Sequence, residues 1–268
     1  MSNMTNLAEV SWNANDKAGI SVPAVLGQMP SLKKLHLVSN NILSVPDLSG
    51  DMALELLELS FSLMPSLDSA HLDALTTLKT FQCIRCPNLT AVPNMAASTS
   101  LQLIDVSYDE QLTTIPDMFA NFGSFAQFVG TGCRQLTHLP ASFGKMAIFA
   151  FNCAGCSLNQ ADSIPDMSTA KMTMVFLSNN GITTLPNGFC TFNKSIVNTL
   201  DLSGNTITAL PDCFGDFSNM MSLDLTGNRL TAFPAAALAN MPKLYSLKMG
   251  MNLMTGQLPT DALAALPA

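Results

Sequence analysis

Residues 197–211 read VNTLDLSGNTITALP, and the chain repeats itself on both sides of them. Upstream, residues 172–186 read MTMVFLSNNGITTLP; downstream, residues 220–234 read MMSLDLTGNRLTAFP. Leu200, Leu202, Asn205, Ile207, Leu210 and Pro211 thus return as Leu223, Leu225, Asn228, Leu230, Phe233 and Pro234. The shared pattern is L-x-x-L-x-L-x-x-N-x-L-x-x-L-P. Its first position falls at Leu7, Leu32, Leu54, Leu78, Leu101, Phe125, Ile148, Met172, Val197, Met220 and Leu244, a period of about 24 residues. The middle L-x-L alternates with period two, as a half-buried strand requires. Inward residues then stack on their equivalents in the next unit, about 4.8 Å away along a parallel sheet. One such unit cannot bury its apolar face alone, but a stack of them makes a continuous core.

These recurring positions resemble the leucine-rich repeat family, in its variety of about 24 residues with Leu-Pro closing the unit. The resemblance implies an α/β architecture over residues 1–268 as a single domain. That architecture is a curved right-handed solenoid of eleven repeats, with a parallel concave β-sheet and loops, short helices or 3-10 turns on the convex side. The asparagine position turns its side chain inward to bond backbone groups that the turn leaves unpaired. That column reads Asn15, Asn40, Ser62, Cys86, Asp109, Cys133, Cys156, Asn180, Asn205, Asn228 and Asn252. Phe119, Phe143, Phe189 and Phe214, each three residues after the Pro, are expected to plug the convex side.

Several units depart from the pattern. Those starting at Leu78, Leu101 and Phe125 insert one residue before their next Leu, as in CPNL at 86–89 and CRQL at 133–136. The first unit is weak, with Trp12 and Ala18 in Leu positions, and the last ends in MTGQLP, similar to plant receptor repeats. Neither end carries an obvious cap, which leads to the expectation of a fragment or of a self-associating edge.

Of the 268 residues 48% are hydrophobic and only 12% charged, against about a quarter charged in ordinary domains. That excludes intrinsic disorder. No membrane insertion follows, because Pro and polar residues interrupt every long apolar run. The net charge is −7, and twelve scattered Lys and Arg supply no basic stripe for nucleic acid. The N-terminal MSNMTNLAEVSW lacks the basic and apolar stretches of a signal peptide. With no cysteine-rich caps, this favours the cytoplasm over the extracellular face of the plasma membrane, where a receptor fragment would stand.

The seven cysteines cannot all pair within the chain. Cys83/Cys86 and Cys153/Cys156 form two C-x-x-C motifs, which alone suggest zinc or a redox pair. They lie three repeats apart, about 14 Å at sheet spacing, so the two pairs cannot share one metal. Both occupy an inward position and the asparagine position, and buried structural thiols are expected there. Cys133 and Cys156 fall in one column and could bridge. No phosphate-binding glycine loop, H-E-x-x-H or G-x-S-x-G occurs. His36, His71 and His138 lie on different units with no matching nucleophile. We expect no enzyme, no cofactor and no metal, with methionines such as Met172 and Met220 filling the core.

Partners are expected on the concave face. Phe61, Arg85 and Tyr108 precede the asparagine column in three consecutive units, with Ile84 and Leu103 nearby. A guanidinium between two rings is a cation–π arrangement, and exposed Phe, Arg and Tyr together resemble a binding hot spot. Val129 and Phe176 extend the candidate surface, and Asp201 and Asp224 would favour a basic segment. The expected function is non-enzymatic binding of a protein or peptide, as scaffold, adaptor or receptor recognition domain. The alternative is the recognition or regulatory part of a larger enzyme, a receptor-like kinase or a ligase, whose catalytic domain lies elsewhere.

Overall fold

The structure, a computed structural model, describes residues 6–13, 19–38, 41–122, 126–256 and 260. Asn15, Ala18, Asn40 and Phe125 lie outside the described residues, as do Leu258 and Pro259 of the MTGQLP segment. The chain divides into two compact units, Met1–Leu136 and Thr137–Ala268.

Six parallel strands run through the first unit: Glu9–Ser11, Lys34–His36, Leu56–Glu58, Thr80–Gln82, Leu103–Asp105 and Gln127–Val129. Their middle residues are in register, so Val10, Leu35, Leu57, Phe81, Ile104 and Phe128 form one row. Five parallel strands run through the second unit: Ala147–Asn152, Lys171–Phe176, Thr199–Asp201, Ser222–Asp224 and Ser246–Lys248. There Phe151, Val175, Leu200, Leu223 and Leu247 form the row. In all eleven strands the residue between the paired apolar positions is the last of the strand, as the repeat predicts. Leu35, Leu57, Phe81 and Leu223 are completely buried, while their strand neighbours stay half-buried or exposed. Period-two alternation therefore decides which side chain enters the core.

After the Leu-Pro, five-residue 3-10 turns follow Pro140, Pro186 and Pro211. Proline fixes φ near the value such a turn needs, and its missing N–H is one that the first turn leaves unbonded anyway. Phe143, Phe189 and Phe214 sit inside these turns and Phe119 in a shorter one, all buried, as expected of the convex plugs. The Phe189 and Phe214 rings are stacked at 5.6 Å, and the Phe143 ring meets that of Phe151 edge-on at 5.5 Å. Leu89, Leu112 and Leu136 are fully buried. The extra residue in their units is absorbed without losing the core position. Among the described residues no helix is long and apolar enough to cross a membrane.

Two expectations about cysteine are corrected. Cys83 and Cys86 are joined in a disulfide rather than standing as thiols, their Cα atoms 6.0 Å apart across three residues. A second disulfide joins Cys190 and Cys213, 23 residues apart in consecutive convex turns. Cys133 and Cys156 do not bridge; with Cys153 they remain buried thiols, and the Cys133 thiol donates to the Val106 carbonyl at 3.1 Å.

Candidate ligand-binding face

The position preceding the asparagine column has the same backbone wherever it is described beyond the second repeat. Phe61, Arg85 and Tyr108 have φ of 61°, 58° and 63°; Gly132 and Gly155 follow at 77° and 70°. Asn179, Gly204, Gly227 and Met251 continue the row at 55°, 65°, 68° and 56°. The corresponding Ala14 and Ser39 lie outside the described residues. This left-handed region is natural for glycine and uncommon for bulky side chains. The register enforces it. The Phe61 N–H donates to the Ile84 carbonyl at 2.8 Å, that of Arg85 to the Ser107 carbonyl at 2.9 Å, and that of Gly204 to the Thr226 carbonyl at 2.8 Å. Tyr108, Gly155, Asn179 and Gly227 are tied to the next rung in the same way.

On that backbone three large side chains stand in consecutive repeats. The Arg85 guanidinium carbon lies 5.8 Å from the Phe61 ring centre and 5.3 Å from that of Tyr108. Phe61 remains 43% exposed and Tyr108 48%, so neither ring is a core residue. Among the described residues Arg85 makes no ion pair, leaving its N–H edges to solvent. Ile84 and Leu103 are half-buried, and Val129 is half-buried at the end of its strand. Phe176, Asp201 and Asp224 belong to the second unit.

The acidic members are not free carboxylates. Asp201 Oδ1 accepts the Ser203 N–H at 2.8 Å, and Asp224 Oδ1 accepts the Thr226 N–H at 2.9 Å. These are Asx turns, which close the strand end. Asp105 does the same with Ser107 at 3.0 Å. The Asp224 carboxylate also meets Lys248 at 3.4 Å. Burial works against its ionised form, yet the hydrogen bonds from Thr226 and Lys248 hold it below the ordinary carboxylate range. Sequence reasoning missed Phe149, 61% exposed on the Ala147–Asn152 strand. It occupies a strand position other than the two columns read for partners.

The asparagine column is the frame behind this face. Asn205 Oδ1 accepts the N–H groups of Asn180 at 2.9 Å and Ile182 at 3.1 Å. Its Nδ2 donates to the carbonyls of Leu177 at 3.0 Å and Leu202 at 2.9 Å. Asn228 and Asn252 repeat the arrangement. Asp109 stands in the same column, and burial pushes its carboxyl up to about 8, against the Cys86 N–H that lowers it.

The sequence profile of the leucine rich repeat family matches residues 170–230. No curated protein matches the chain in sequence. Among solved structures the chain is similar to an internalin from Listeria monocytogenes. There the TM-score is 0.61 at 18% identity, over 98% of this chain and 80% of that one. It is similar to the structure of the Drosophila Toll–Spatzle complex, with TM-score 0.73 and 17% identity, over 93% of this chain. It is also similar to the structure of a TLR13–ssRNA13 complex, with TM-score 0.59 and 17% identity, over 98% of this chain. The chain spans 39% and 44% of those two longer chains. With the same rung recurring from Leu7 to Leu244, the family profile matching within it and these solved structures alike in shape, the chain has the leucine-rich repeat fold.

Proposed function

We propose that this chain is a non-enzymatic recognition module that binds a protein or peptide against the exposed face of its sheet, as scaffold, adaptor or receptor recognition domain. One observation carries the reading. Phe61, Arg85 and Tyr108 hold left-handed backbone, stay exposed with the two rings nearly half in solvent, and stack on one another. Non-glycine residues in that region cost on the order of 1–3 kcal/mol each. Burial returns little of this, since both rings stay about half exposed. A partner covering the stack would bury two rings and give the Arg85 edges an acceptor, which is how hot spots act. Val129 widens this surface in the first unit; Phe176, Asp201 and Asp224 offer a second, acidic-edged one. Toll is seen in complex with Spatzle, which supports a protein ligand. TLR13 is seen with ssRNA13, but a net charge of −7 disfavours RNA here.

The test is a peptide-display selection on the immobilised chain, followed by titration of the selected peptides. Phe61→Ala, Arg85→Ala and Tyr108→Ala are each expected to weaken binding about tenfold or more. Unchanged affinity in all three would remove the stack from the site. Salt-dependent binding of a single-stranded RNA oligonucleotide in place of peptide would replace the protein-ligand reading.

A further inference from the structure

The two C-x-x-C motifs hold the same positions in their repeats, but the residue one rung further in the column differs. Behind Cys153 and Cys156 stands Asn180. Its Oδ1 accepts the Leu158 N–H at 3.0 Å, and its Nδ2 donates to the carbonyls of Cys153 at 2.8 Å and Leu177 at 3.0 Å. Both ends of the amide are used. Behind Cys83 and Cys86 stands Asp109. Its Oδ1 accepts the Cys86 N–H at 2.7 Å, while its Oδ2, fully buried, has no hydrogen-bond partner. An ionised carboxylate has no hydrogen for the carbonyls an amide serves, and a buried charge without a partner is severely unfavourable. Something must stand at that oxygen, either a proton or a cation.

The surroundings fit a cation. The sulfurs of Cys83 and Cys86 and a carboxylate oxygen of Asp109 all lie within 4.8 Å of one another, and all three residues are completely buried. Two ligands of one zinc ion, each at about 2.0–2.3 Å, stand no more than about 4.6 Å apart. Thiolate sulfur selects zinc-like ions over magnesium or calcium, and two residues between the cysteines is a structural zinc spacing. At the other motif Asn180 supplies a neutral amide already committed to backbone, so the chain contains its own control.

We propose that Cys83, Cys86 and Asp109 form a buried site for one thiophilic divalent cation, zinc or a close analogue, when the Cys83–Cys86 bridge is reduced. The bridge and the ion exclude each other. A dithiol reductant gives two electrons and two protons to the disulfide. The S–S bond breaks, two thiols form, and the reductant closes its own disulfide. The cation then displaces both thiol protons and the Asp109 carboxyl proton to solvent and takes the Asp109 oxygen as its third ligand. Three negative charges meet two positive ones, and the orphaned oxygen gains its partner. The site ties the rung of Cys83 and Cys86 to the rung of Asp109.

The test uses the whole chain, reduced with a phosphine and titrated with Co2+. One equivalent is expected to bind, with a thiolate-to-cobalt charge-transfer band, and Zn2+ is expected to displace it. Asp109→Asn places in the column the amide that Asn180, Asn205 and Asn228 already use there, so this variant keeps its fold. It should bind Co2+ at least tenfold more weakly and lose the Zn2+-dependent rise in melting temperature. Cys83→Ser/Cys86→Ser should lose the band, and Cys153→Ser/Cys156→Ser should keep it. Absence of the band in the reduced parent chain, or undiminished binding by Asp109→Asn, would overturn the site and leave a proton as the occupant of Asp109. A band lost only with Cys153 and Cys156 would equally overturn it.

Discussion

The ring of Tyr108 lies over Gly132 so closely that a Cβ on the glycine would stand 2.8 Å from the ring carbon Cδ1. Gly132 also has φ of 77°. The rung after the stack is therefore cut back so that the last ring can lie down on it. Gly132→Ala should cost about 1–2 kcal/mol from the left-handed backbone alone. It should also push Tyr108 away from Arg85 and weaken any ligand that Tyr108→Ala weakens. Urea unfolding and peptide titration on the same variant measure the two effects.

The stack and the fold are separable. Replacing Arg85 with glycine relieves left-handed backbone in the folded chain but loosens the unfolded one, and these effects nearly offset each other. Losing an exposed cation–π contact adds about 0.5–1 kcal/mol. Arg85→Gly should thus stay within about 1 kcal/mol of the parent in stability while ligand binding drops. A variant that unfolds would instead make Arg85 a structural residue.

The asparagine column should respond unevenly along its length. Asn205→Ala leaves the buried N–H groups of Asn180 and Ile182 without their acceptor, while the Leu177 and Leu202 carbonyls keep the amides of Asn180 and Asn228. Each orphaned group costs about 1–3 kcal/mol, so the loss should reach about 3 kcal/mol or more. Ser62 holds the same column position, but its hydroxyl is buried with no partner. Ser62→Ala should be neutral or slightly stabilising. Paired denaturant titrations would show the contrast.

Asp51 gives a pH dependence of known sign. Its Oδ1 accepts the Met29 N–H at 2.7 Å, its Oδ2 is buried without a partner, and burial pushes the carboxyl from 3.8 up to about 6. Below pH 3.8 both folded and unfolded chains keep the proton, and the site costs nothing. As pH rises from there, the unfolded chain ionises first, so stability falls until about pH 6, where the penalty is complete. Asp51→Asn should lessen the fall across this interval in melting temperatures, the Asp109 carboxyl supplying the part that remains.

The Cys190–Cys213 bridge closes a loop spanning 23 residues on the convex side. Loop-closure entropy puts its contribution at about 3 kcal/mol. Cys190→Ser/Cys213→Ser should lose roughly that amount, and so should the parent chain in strong reductant. Equal melting curves with and without reductant would contradict it.

Much of this fold was legible because inward residues repeat with a fixed period. Val175, Leu200 and Leu223 were placed in one row from spacing alone, and the register confirms it. The left-handed column was half visible: Gly132, Gly155, Gly204 and Gly227 mark it, but Phe61, Arg85 and Tyr108 hide it behind bulk. Spacing could also have found the Cys190–Cys213 bridge, since 23 residues is one period. Asp201 and Asp224 suggest charge for a partner when only their column is considered. Their D-x-S and D-x-T contexts were the sign of turns that draw on one carboxylate oxygen. Nothing in the sequence distinguishes Asp109 from a surface aspartate except its column. What sets it apart is structural: it stands where an asparagine amide would serve the backbone carbonyls.

The constancy of the left-handed row has an evolutionary corollary. Its backbone is dictated by amide-to-carbonyl ties between rungs, whatever side chain is attached, so glycine, asparagine, methionine, arginine and two aromatics all adopt it. The row works as a rack of interchangeable fittings on a frame that does not consult them. Drift at these sites can therefore rewrite what the molecule grips while the apolar interior and the amide column go on specifying the same coil.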